Sequence, residues 1–188
     1  MASINELRED LEYVAASVRR GRYPYQPAPG VLLLWAVLIP IGFGLADFAP
    51  QWCGWFWLVV SPVGGVASAY IGRRSGLRQG VHDAALGRRH GLHWLTMLAT
   101  YALFGATLAT GHMDVRSTVP IWLLLSALAY TMAGIHLGQS RSFLLSGIVM
   151  FVGYAALVWL PLPYVWTATG LIISLSFIVA ALRSPKSI

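Results

Sequence analysis

Six apolar stretches, at 30–49, 53–72, 92–111, 118–138, 142–160 and 164–182, follow one another along the chain with polar breaks between them. Each is close to the roughly 20 residues that a helix needs to cross the hydrocarbon core of a bilayer. The runs are continuous, which excludes the alternating pattern of membrane strands. A backbone in lipid must satisfy its own N–H and C=O groups, so runs of this length predict helices. The fold class predicted is all-α: a polytopic membrane bundle of six transmembrane helices, forming one domain over 1–188.

A different pattern precedes the first span. Ser3-Ile4-Asn5-Glu6 fits a capping box, with Ser3 as N-cap and Glu6 reaching back to it. Ile4, Leu7, Leu11, Val14, Ala15 and Val18 then recur at helical spacing. Acids (Glu6, Glu9, Asp10, Glu12) open the segment and Arg19 and Arg20 close it, as the helix dipole favours, before Gly21. The pattern predicts an amphipathic cytoplasmic helix over 1–22. Helices that lie on anionic membranes carry a basic polar face, and the first three turns here are acidic. Docking onto protein is therefore the better expectation than attachment to lipid. The segment is charged and has no apolar core of its own, so it does not read as a cleavable signal peptide.

The charges then orient the spans. Twelve of the 13 Lys and Arg fall on one side, in 1–29, the 73–91 connection, Arg141 and the tail, and Arg116 alone falls on the other. The positive-inside rule predicts an integral plasma (inner) membrane protein with both termini in the cytoplasm. The formal charge of +6 thus follows from topology and does not point to nucleic acid. The expected partners are the lipid bilayer, a cytoplasmic protein or a second copy of the chain. Leu7, Leu11 and Val14 of the helix, with Arg73, Arg74, Arg78, Arg88 and Arg89 of the connection, are the candidate partner- or lipid-docking residues. The outer connections, around Pro50-Gln51, 112–117 and 161–163, are too short for a folded external domain.

Trp52, Trp55, Trp57, Trp122, Trp159 and Trp166 all fall near the outer ends of spans. This is the aromatic belt expected where indole meets the interface. The sharper alternative is an aromatic cage for a cation, assisted by Asp47 and Asp114. Small residues recur at spacing four: Ser61, Gly65 and Ala69; Gly105 and Ala109; Ala129 and Ala133; Gly134 and Gly138. Such faces admit close helix packing, within the bundle or between copies. Pro40 and Pro62 are expected to kink the first two spans. The spacing from Gly42-Phe43 to Pro50 repeats from Gly153-Tyr154 to Pro161, a weak internal echo of two hairpins.

Candidate chemistry is sparse. His82 lies beside Asp83, His90 and His93 are three apart, and His136 lies toward the cytoplasmic end of span four. Spans three and four are antiparallel, so His93 and His136 are expected at one level, near His90 and His82. Neutral imidazoles suit a divalent transition metal, but the spacing matches no strong zinc signature, and separate hydrogen-bonded histidines are the plainer reading. Asp47 is the one acid well inside a span and is a candidate ion or ligand site. The single Cys53 excludes an intramolecular disulfide. There is no H-E-x-x-H, no phosphate-binding glycine loop and no paired intramembrane Asp. The first functional expectation is a non-catalytic accessory, sensory or assembly protein that docks partners on its cytoplasmic face. A transporter or channel subunit built around Asp47 and the kinked spans comes second, and a histidine-centred metal-dependent enzyme third.

Overall fold

The computed structural model describes Leu11, 28–78, 84–111, 118–137, 141–160 and 162–183. These residues form six α-helices and no strand: α1 (Pro29–Phe48), α2 (Pro50–Arg78), α3 (Ala84–Ala109), α4 (Val119–His136), α5 (Arg141–Trp159) and α6 (Val165–Arg183). All six are long and apolar enough to cross a membrane. The helix expected over 1–22 lies outside the described residues, as do His82, Leu7 and Val14. Leu11 is described, and its side chain is exposed.

The bounds of four helices match the apolar runs closely. The other two are longer than expected. α2 has 29 residues and α3 has 26, against 18 to 20 for the rest. At 1.5 Å per residue both exceed a hydrocarbon core of about 30 Å. Much of the 73–91 connection is therefore helical. Ala, Leu and Arg dominate its two ends and carry low helix-forming cost, so the helices run on past the apolar core. At the opposite end of α2 the break is a single residue. Ala49 (φ −150°, ψ 62°) donates its N–H to the Leu45 carbonyl, and Pro50 opens α2. Proline suits that first position because its missing N–H would have had no partner. Pro50-Gln51 is thus the first turn of a helix and not a loop. Both helices also continue through Pro40 and Pro62.

Each helix packs on its neighbours in sequence, with one exception. α1 packs on α2, α3 on α4, α4 on α5 and α5 on α6, while α6 returns to α1 and also touches α4. No Cα of α2 comes within 8 Å of α3. The six helices therefore form a ring that is open between α2 and α3. The core lies at α6, where Phe177, Ile173 and Ala180 meet Leu32, Leu123 and Met150. α2 and α3 bury almost none of their apolar length.

Small residues set how closely the core helices approach. Ala129 and Ala133 are 1% and 0% exposed, so the small face of α4 is used inside the bundle. A Cβ on Gly134 would lie 2.7 Å from the backbone N of Leu144, and one on Gly147 would lie 2.8 Å from the backbone N of Thr131. On α6, a Cβ at Gly170 would lie 3.0 Å from the Cα of Pro40. The echoed glycines share a role. Gly42 makes room for Trp57 of the next helix and Gly153 for Ile172 of the next. Gly65 on α2, in contrast, faces open space, and Ala69 is exposed.

These contacts make a differential prediction. Gly147→Ala forces backbone apart at the α4–α5 contact and should destabilise the protein by about 1–3 kcal/mol, the usual cost of overpacking. Gly65→Ala meets nothing and should leave stability unchanged or slightly raised. Thermal unfolding of both variants in one detergent checks the pair; equal effects would contradict the packing described.

Candidate functional site

Asp47 stands in the last turn of α1, where the chain is about to reverse into α2. α6 begins at the same level of the bundle. Asp47 Oδ2 accepts two hydrogen bonds from Thr167, one from the backbone N–H and one from the hydroxyl, each 2.7 Å. Thr167 is the third residue of α6, so one of that helix's unpaired N–H groups is met by a carboxylate from another helix. The arrangement is an N-cap supplied across an interface, and the negative charge also suits the positive end of the helix dipole. Asp47 therefore ties the hub helix to α1. One of its two oxygens is committed to that task.

The histidines occupy the opposite end of the bundle. α3 carries His90 and His93 one turn apart, and α4 ends on the exposed His136. His136 terminates its helix, because α4 stops at residue 136 and not at 138. His93 Nε2 lies 3.1 Å from the carbonyl oxygen of Ala129. A carbonyl only accepts, so Nε2 carries the proton and donates. His90 is buried and hydrogen-bonds the backbone of Leu137, just past the end of α4. His93 is near enough to both His90 and His136 for their charges to interact. The three histidines therefore lie toward one end of the bundle. Among the described residues, however, no three His, Cys, Asp or Glu side chains are placed to share a metal ion.

What surrounds the histidines is aromatic. His93 meets Trp94 edge to face at 4.9 Å, Trp94 packs on Tyr130 at 5.1 Å, and Tyr130 packs on Phe177 at 4.8 Å. Phe143 of α5 closes the group 5.6 Å from Tyr130 and 6.3 Å from His90. This chain of rings joins α3, α4, α5 and α6. A second polar tie holds the same pair further along: Tyr101 and Ser126 share a hydrogen bond of 3.0 Å, and Tyr101 stacks on Trp122. α3 is thus attached to the bundle mainly through aromatic and polar contacts with α4. On its other faces, the hydroxyls of Thr96, Thr100 and Thr107 return to carbonyls four residues back, which keeps them satisfied in lipid.

The tryptophans divide. Trp52, Trp55 and Trp159 are exposed, as a belt requires. Trp57 and Trp166 pack on Phe43, at 6.0 and 5.5 Å, and Trp122 packs on Phe104 at 4.9 Å. α2 touches α1 alone, so Trp52 and Trp55 do not converge with Trp122 or Trp159 into a cage. α2 is itself fastened by two polar contacts. Trp35 Nε1–H donates to Ser68 Oγ (2.9 Å), and Cys53 Sγ–H donates to the Gly42 carbonyl (3.6 Å).

The arginines are the remaining ionisable group. Arg73 and Arg74 near the end of α2, and Arg88 and Arg89 near the start of α3, are exposed. Asp47 is the one acid among the described residues and lies at the other end of α1. Thr167, the partner of Asp47, was not among the residues that the sequence pattern singled out. Parity held the signal: span one leaves the membrane on the side where span six enters, which brings Asp47 to the start of α6.

These features define an integral membrane bundle of six helices whose intramembrane polar groups hold helix to helix. No family model matches the chain, and no similar curated protein or solved structure is found.

Two substitutions test the assignments. Asp47→Ala removes the cap and strands the Thr167 donors, and should cost about 1–2 kcal/mol of stability, with Asp47→Asn recovering part of it. His93→Ala should cost about 1 kcal/mol and act locally. Hydrogen exchange should rise along α3 while α5 and α6 stay protected; a uniform rise would contradict a tie confined to α3 and α4.

Proposed function

We propose that this protein is a non-catalytic accessory, sensory or assembly component of the plasma (inner) membrane. Both termini are cytoplasmic, and the cytoplasmic face docks a protein partner. The reading rests on how the ionisable groups are spent. Asp47 and His93, both inside apolar spans, make helix-to-helix hydrogen bonds. Among the described residues, the exposed basic groups are arginines and His136 at one end of the bundle. An ion-coupled transporter would require an intramembrane charge that changes partners, and Asp47 already serves a structural bond. A second support comes from the sequence. The segment 1–22 has the acid-then-base order and apolar stripe expected of a docking helix.

The test is copurification. Full-length protein extracted in mild detergent should retain a cytoplasmic protein, and deletion of residues 1–22 should release it without changing the yield or thermal stability of the bundle. Retention of every partner by the deleted form would remove this reading.

A further inference from the structure

The ring of helices is open between α2 and α3, and the open seam has a distinctive end. Arg78 and Ala84 are joined by residues 79–83, a link that spans at most about 20 Å. The two helix ends are thus no more than about 20 Å apart, and no Cα of one helix lies within 8 Å of the other. Arg74 lies four residues before the end of α2, and Arg88 lies four residues after the start of α3. At 1.5 Å per residue both stand about 6 Å from the link, with Arg73 and Arg89 one residue further in. All four are exposed. Across 73–91 five arginines face a single acid, Asp83. Further from the link, Val66 and Tyr70 on α2 and Leu92, Leu95 and Leu98 on α3 are exposed and apolar.

We infer that the seam between α2 and α3 holds an anionic phospholipid. Its phosphate is gripped by Arg73, Arg74, Arg88 and Arg89, and its acyl chains cover the apolar faces that the two helices leave open. Guanidinium groups bind phosphate through paired N–H donors, and four of them at one depth match a headgroup in one leaflet. Charge selects this occupant over a second copy. Two chains meeting through this face would bring together two clusters of five arginines, each with the single acid Asp83 to offset it. The inference requires that the six helices span a bilayer, and it does not depend on a cytoplasmic protein partner.

The experiment is native mass spectrometry of the detergent-purified full-length chain, with added phosphatidylglycerol or with phosphatidylcholine of the same acyl chains. Phosphatidylglycerol should be retained and phosphatidylcholine should not. R73Q/R74Q and R88Q/R89Q should each weaken retention about thirty-fold, as expected for two arginines at an anionic surface, while R141Q/R183Q, away from the seam, should not. A phosphatidylglycerol with a photoreactive acyl chain should label peptides of both α2 and α3 in preference to α5. Equal retention of the two lipids, equal loss in R141Q/R183Q, or uniform labelling would overturn the inference. So would seam variants that keep the lipid but lose a bound cytoplasmic protein. Deletion of residues 1–22 should leave lipid retention unchanged, so this site and the docking reading fail separately.

Discussion

Helices already in lipid gain little from burying apolar side chains against one another, because the hydrocarbon around them is equally apolar. What holds them together is close packing and hydrogen bonds that lipid does not offer. This protein meets that constraint at α6. Gly170 admits the α1 backbone and Asp47 grips the start of the helix. Further along, the Ser174 hydroxyl donates to the Ala36 carbonyl at 2.5 Å. α5 is drawn to α4 by the same means, with Gly134 and Gly147 letting backbone approach backbone. The four helices so joined form the part of the molecule with real buried volume.

α2 and α3 stand outside that arrangement. Each is attached to a single neighbour, α2 to α1 and α3 to α4. Their attachments rely on discrete contacts: Trp35 to Ser68, Cys53 to Gly42, His93 to Ala129, Tyr101 to Ser126. In lipid such bonds contribute roughly 0.6–2 kcal/mol each, because separated helices also find partners. The peripheral helices are therefore the pair best able to change position without unfolding the core.

The helical class and the six spans were legible in the sequence because lipid allows few alternatives for a run of 20 apolar residues. The small face of α4 was legible in the same way, since Ala129 and Ala133 share a side of the helix. The pattern did not separate internal packing from dimer formation, and the structure assigns this face to the bundle interior. The lengths of α2 and α3 were hidden. Hydropathy marks where apolar residues end, and a helix of Ala, Leu and Arg continues past that point. Asp47 was singled out as unusual, which it is, but its role depended on a partner 120 residues away. The histidines were read as neighbours from span parity. The donation from His93 to the Ala129 carbonyl depends on the rotation of α3, which a single sequence does not fix.

The order of the ring adds a final consideration. Each helix lies beside the next in sequence, and α6 closes back onto α1. A chain built this way needs no long connections, and its one unclosed step is also its most basic. The 73–91 region that joins α2 to α3 holds five arginines and one acid, Asp83, so like charge dominates that step. On the inference drawn above, an anionic headgroup would offset the charge of both helices at once.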